Sequence, residues 1–129
     1  MGFKAILAVA LGGGVGSVLR YVVNFLVVAR VGPGFPLGTL LINVTGSLLI
    51  GIVAELAATS SFGMTPLLRL FLAVGVLGGY TTFSTFALDT VTLVGDRAFA
   101  MAPLYALGSV LIGVLAAFAG QVLVRVALR

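Results

Sequence analysis

The sequence predicts an all-α integral membrane protein of four transmembrane helices with a break in the third. Three observations carry that prediction. Of the 129 residues, 61% are apolar and only 8% charged, against roughly 25% charged in a soluble domain. Seven basic and three acidic side chains cannot cover a chain of this length in water, so lipid is the solvent for most of its surface. Four stretches reach the ~20 largely apolar residues that a spanning helix needs. The third of them carries Gly78-Gly79-Tyr80-Thr81-Thr82-Phe83-Ser84-Thr85-Phe86 at its middle, where two glycines and β-branched threonines weaken a helix. The length fits one domain, residues 1–129.

The first stretch runs from about Phe3 to Ala29, interrupted by Arg20. It is Gly-rich and continues past Arg20, so it reads as a retained membrane helix and not as a signal peptide. Gly32-Pro33-Gly34 ends it. The second runs from about Leu37 to Ala58 and carries no charge before Glu55. Thr59-Ser60-Ser61-Phe62-Gly63 reads as a polar turn. Thr65 as N-cap and Pro66 at the first helical position start the third stretch, which reaches about Val94. Gly95 at the C′ position and Asp96 as the next N-cap make a tight turn. The fourth stretch runs from about Ala98 to Val124, closed by Arg125 and Arg129.

With four spans both termini share a side. Lys4, Arg69, Arg125 and Arg129 then face Arg20, Arg30 and Arg97 across the bilayer. The Lys/Arg bias that normally orients a membrane protein is nearly absent. Insertion in both orientations and a chance balance of few charges explain this equally well. The 18 glycines include Gly12/Gly16 and Gly75/Gly79, with Ser47/Gly51, Ser109/Gly113 and Ala116/Gly120 as further small pairs four apart. Such pairs let helix backbones approach closely in lipid.

The composition excludes much chemistry. There is no cysteine for a disulfide or a thiolate metal site, and no histidine, the commonest general base and metal ligand. The acids Glu55, Asp89 and Asp96 are too scattered for a two-carboxylate site, so an enzyme is not expected. The cations are spread along the chain. Nucleic-acid binding needs them clustered, and none is expected; they read as anchors at lipid headgroups.

Polar groups inside the spans are costly there, and mark function or helix packing. Thr39, Asn43 and Ser47 recur every fourth residue and form one stripe on the second helix. Tyr105 and Ser109, continued by Gly113, repeat the pattern on the fourth. Both stripes serve equally as interhelical glue. The Thr-Thr-Phe-Ser-Thr-Phe string is too polar for passive filling, and broken helices at membrane depth bind ions with freed carbonyls and helix ends. Ser84 and Thr85 add hydroxyls there, while Phe83 and Phe86 share a face. Their positive ring edges suit an anion without any full charge. Arg20 either snorkels to the interface or draws anions to a pore mouth. Asp89, four residues after Thr85, is placed to accept from hydroxyls.

With those residues in view the chain resembles the Fluc (CrcB) fluoride channels of microbes over nearly its whole length. The motifs are Gly12-Gly13-Gly14-Val15-Gly16-Ser17 leading to Arg20-Tyr21, the run Gly38 to Ser47, and above all the string Gly78 to Phe86. The resemblance implies passive export of toxic cytoplasmic fluoride across the inner (plasma) membrane, in which the chain is embedded by multiple passes. It implies an antiparallel, dual-topology homodimer with two pores and a structural Na⁺ at its centre, held by the main-chain carbonyls of Gly78 and Thr81. Carried over by motif, Asn43 donates to the ion, Phe83 and Phe86 supply ring edges, and Tyr105 and Ser109 line the path. Thr39 and Asp89 match a threonine and an acid near one pore end, and Arg20 matches a vestibule arginine. Two departures stand out: Asp89 is one methylene shorter than the Glu of many relatives, and Gly113 replaces a serine found in some.

Two rivals remain in view. A small dual-topology multidrug transporter has this size, but needs a carboxylate in its first span, where this chain has Arg20. A membrane scaffold would use the glycines for packing alone.

Overall fold

A computed structural model describes residues 2–59 and 63–129. It contains four helices long and apolar enough to cross a membrane, Phe3–Val31, Leu37–Ala58, Pro66–Gly95 and Met101–Ala127. α1 is Phe3–Val31, of 29 residues. At ~1.5 Å per residue it measures roughly 43 Å, well beyond the ~30 Å hydrocarbon core of a bilayer. Gly32 ends it with φ 80°, a left-handed value that costs glycine nothing, and its N–H donates to Val28 O at 2.9 Å. α2 is Leu37–Ala58, with the bounds expected. Of the polar turn expected after it, Ser60, Ser61 and Phe62 lie outside the described residues.

The third span is built in pieces. α3 is Pro66–Arg69, with Pro66 at its start and the Thr65 hydroxyl accepting from Leu68 N at 3.2 Å. A π-helical stretch, Leu70–Leu77, follows. It leads into α4, Gly78–Tyr80, after which the chain leaves helical geometry at Thr81 and Thr82. α5, Phe83–Gly95, completes the span. The expected break is therefore present, and a wound-out π segment precedes it.

The turn into the fourth helix differs from expectation. Gly95 is still helical, Asp96 is the C-cap of α5, and Arg97 takes the left-handed conformation with φ 58°. α6 is Met101–Ala127, starting three residues later than about Ala98, and its N-cap is Ala100, not Asp96. The N–H of Ala98 reaches back to Leu93 O at 3.0 Å. That wider closure uses up the residues that a tight Gly-Asp turn would have left helical.

α1 packs chiefly on the π-helical stretch, and α2 on α6. Glycines set both contacts. A Cβ at Gly16 would overlap the Val76 carbonyl oxygen, and one at Gly12 would press on the Phe71 carbonyl and on Gly75. On the other pair a Cβ at Gly51 would overlap the Ala117 carbonyl, and one at Gly120 the Leu48 carbonyl. Backbones so close gain dispersion contacts, which replace the hydrophobic drive that lipid removes. Below them Arg125 Nη2 lies 2.9 Å from Glu55 Oε2, joining the ends of α2 and α6. Leu93, Ala102 and Tyr105 form a small core, with Phe35 and Phe86 packed against it.

Candidate functional site

The break is held open by a side chain from another helix. Asn43 of α2 faces the main chain of Thr82: its Oδ1 accepts from Thr82 N at 2.8 Å and its Nδ2 donates to Thr82 O at 3.0 Å. The amide thus does what a neighbouring strand would do, and satisfies the two groups that an extended residue at membrane depth would leave bare. Thr82 is buried, with φ −153° and ψ 113°. Its hydroxyl caps α5 by accepting from Thr85 N at 3.2 Å.

Carbonyls are freed as a result. In a continuous helix Thr82 N–H would donate to Gly78 O and Thr85 N–H to Thr81 O. Here Asn43 and the Thr82 hydroxyl take those donors. Arg20 Nη1 lies 3.5 Å from Thr81 O, at the outer limit of a hydrogen bond, so this half-buried arginine belongs to the break as well as to α1. Among the described residues no group of three or more acidic side chains could hold a metal ion. Gly78 and Thr81 both line one groove, and carbonyls are hard oxygen donors of the kind that suits a hard cation. They fit the expected Na⁺ by donor type, with Thr81 shared with Arg20.

That groove has a volume of about 500 Å³, and Asn43, Ser47, Thr82, Phe83, Phe86 and Ser109 are among the residues lining it. Its lining has donors but no ionised side chain. The Ser109 hydroxyl is buried and has no hydrogen-bond partner among the described residues. Gly113 leaves room beside it, where a Cβ would lie 3.4 Å from Ser47 Oγ. The Phe83 and Phe86 rings lie 5.5 Å apart and tilted by 45°. Phe83 is 78% exposed and projects from the chain.

A second cavity, about 200 Å³, lies beyond, lined by Thr39, Thr85, Asp89, Asn24 and Phe35 among others. The buried Tyr105 lines neither cavity; its ring contacts Phe86 of the groove and Phe35 of the second cavity, and its hydroxyl donates to Asp89 Oδ2 at 3.3 Å. Asp89 thus takes its hydroxyl partner from α6. Ser84 lines neither cavity; it is exposed, 3.3 Å from the Thr82 hydroxyl. Of the sequence-predicted residues, Asn43, Gly78, Thr81, Phe83, Phe86 and Ser109 line the groove and Thr39, Thr85 and Asp89 the cavity behind it, while Arg20, Ser84 and Tyr105 line neither.

Sequence reasoning missed Phe35, whose ring packs edge-on against Tyr105, and Thr45, whose hydroxyl meets the Tyr80 hydroxyl at 2.9 Å. Thr45 stood inside a quoted motif without a role. Phe35 sits between two prolines-and-glycine turn signals and gave no helical register to read.

Comparison with known proteins fits this geometry. The family model described as "CrcB-like protein, Camphor Resistance (CrcB)" matches residues 7–121. The "Fluoride-specific ion channel FluC" of Nitrobacter winogradskyi is 52% identical, over 98% of this chain and 99% of that protein. That of Rhizobium meliloti is 49% identical over 93% of this chain and 95% of its own. The Caulobacter vibrioides protein of the same name is 43% identical, with 93% and 94% covered. A family match over most of the chain, with end-to-end relatives near half identity, leaves one assignment: the chain belongs to the CrcB family.

Proposed function

We propose that the chain is a fluoride-selective ion channel that exports cytoplasmic fluoride passively and so relieves fluoride toxicity. It is a multi-pass membrane protein and not an enzyme; its relatives are named as fluoride-specific channels. The observation that carries the reading is the broken third span, opening onto a groove of neutral donors and ring edges with a Ser109 hydroxyl that has no partner among the described residues.

Fluoride is small and strongly hydrated, so a path for it must replace water with donors. The Ser109 hydroxyl and the remaining N–H of the Asn43 amide are such donors, and the Phe83 and Phe86 edges add weak positive potential. None carries a charge, so the ion is bound firmly enough to enter and loosely enough to leave. Arg20, beside Thr81 at the break, attracts the anion, and Asp89 in the second cavity holds Tyr105 in line. Thr39 and Thr85 supply further hydroxyls from the second cavity, and Ser84 one from the exposed face beside the break.

The groove is open on one chain and Phe83 projects from it, which supports closure by a second copy. The near-balance of basic residues between the two sides supports an antiparallel pairing in the inner membrane, with the four spans of each copy acting as one domain. The Gly78 and Thr81 carbonyls would hold a structural Na⁺ between the copies. Its charge would offset the carbonyl dipoles at the break, of which Thr81 O also meets Arg20.

The test is efflux from proteoliposomes followed with fluoride- and chloride-selective electrodes. The reading expects fluoride release far above chloride, with no drug cation transported. Drug-cation transport without fluoride release would favour the multidrug alternative and overturn it.

A further inference from the structure

The two cavities share no lining residue. What separates them is a row of rings. Phe86 lines the groove, Phe35 lines the cavity that holds Asp89, and the Tyr105 ring lies between them. Phe86 and Tyr105 have centroids 5.5 Å apart with a 40° tilt, and Phe35 meets Tyr105 at 5.6 Å and 87°. Tyr105 is 2% exposed, and its hydroxyl is tethered to Asp89 at 3.3 Å.

Leu93 and Ala102 share the core with that ring, and Leu40 and Ala98 pack against them. Phe86 blocks one face of Tyr105. The other side is met by Phe35, which comes from the short link between α1 and α2 and not from a spanning helix. Its placement is fixed locally: Pro36 follows it, and Leu37 N donates to Phe35 O at 2.7 Å. An edge-to-face contact is directional and adds to simple burial. Without it the Tyr105 ring would face the empty volume of the cavity at Phe35.

We propose that Phe35 is a positioning residue for selectivity: it holds Tyr105 as the wall between the two cavities, so that the passage beside Phe86 stays too narrow for a halide larger than fluoride. The inference rests on the channel reading and adds a residue outside the spans to it. Shortening Phe35 widens the passage and leaves the groove donors untouched, so it acts on chloride more than on fluoride.

The experiment compares Phe35→Ala, Phe35→Leu and Phe35→Tyr with the unsubstituted chain in proteoliposomes, after elution position has established the same assembly. Phe35→Ala and Phe35→Leu should lower the fluoride-to-chloride efflux ratio by at least fivefold, and Phe35→Tyr should restore it, because the ring returns. The Phe35→Ala change should largely vanish in a Tyr105→Ala background, since no wall is left to position. A second readout is independent of transport. In chains labelled with 3-fluorotyrosine, the ¹⁹F resonance lost in Tyr105→Phe belongs to Tyr105, and Phe35→Leu should shift or narrow it while sparing the other two. Normal efflux with an unaltered halide ratio and an unmoved Tyr105 resonance overturns this inference alone. An unsubstituted chain that retains fluoride overturns the channel reading instead.

Discussion

Replacing Asn43 by Leu tests what holds the third span open. Leucine keeps the approximate volume and removes both hydrogen bonds to Thr82, of 2.8 and 3.0 Å. Thr82 is only 7% exposed, so its N–H and C=O would lose their partner without gaining water. An orphaned buried group costs about 1–3 kcal/mol, and two of them together about 2–6 kcal/mol. At ~1.4 kcal/mol per tenfold, even the lower figure speeds local opening by roughly 30-fold. Hydrogen exchange of the Thr82 amide, followed by mass spectrometry in nanodiscs, reads that opening directly. Thr82 should exchange at least ~20-fold faster in Asn43→Leu, with amides in α2 and α6 unaffected and fluoride efflux lost. Wild-type protection at Thr82 together with wild-type efflux would show that the amide does not hold the break.

Other perturbations separate the parts of the account. Phe83→Ile removes a projecting ring and no hydrogen bond; fluoride efflux should fall while cross-linking still captures a dimer, whereas loss of the dimer with normal flux would assign the ring to assembly. Gly16→Val places a side chain onto the Val76 carbonyl, so α1 must move off the third span; overpacking of this kind costs typically 1–3 kcal/mol, seen as an earlier thermal aggregation onset, and an unchanged onset would contradict the close approach. Rigorous Na⁺ depletion on both sides of the membrane should lower efflux or loosen the dimer; unchanged flux and assembly would count against the carbonyl site.

Much of this was legible in the sequence because its signals are local. Leu37–Ala58 is bounded by turn residues on one side and hydroxyls on the other, and its limits came out as read. Thr65-Pro66 marked a helix start, and Gly78-Gly79 followed by threonines marked the break. The glycine pairs announced close packing, though not which helices would meet. What stayed hidden was either non-local or featureless. Leu70–Leu77 is apolar on every side, so no period distinguishes a π-helix from an α-helix. Asn43 and Thr82 are 39 residues apart, and Arg20 and Thr81 are 61 apart, so the polar stripe on α2 gave no hint that its amide would grip another helix's main chain. Arg97, not Gly95, takes the left-handed turn, because the backbone closure at Ala98 decides the position and glycine is merely permitted there.

The central claim is that a neutral, broken-helix path lets fluoride run down its own gradient. Efflux from proteoliposomes held at set membrane potentials, with and without an imposed pH difference, tests it most directly. Release should follow the fluoride gradient and the potential, and should be indifferent to the pH difference. Release that needs a proton gradient, or that never exceeds protein-free vesicles, would contradict it.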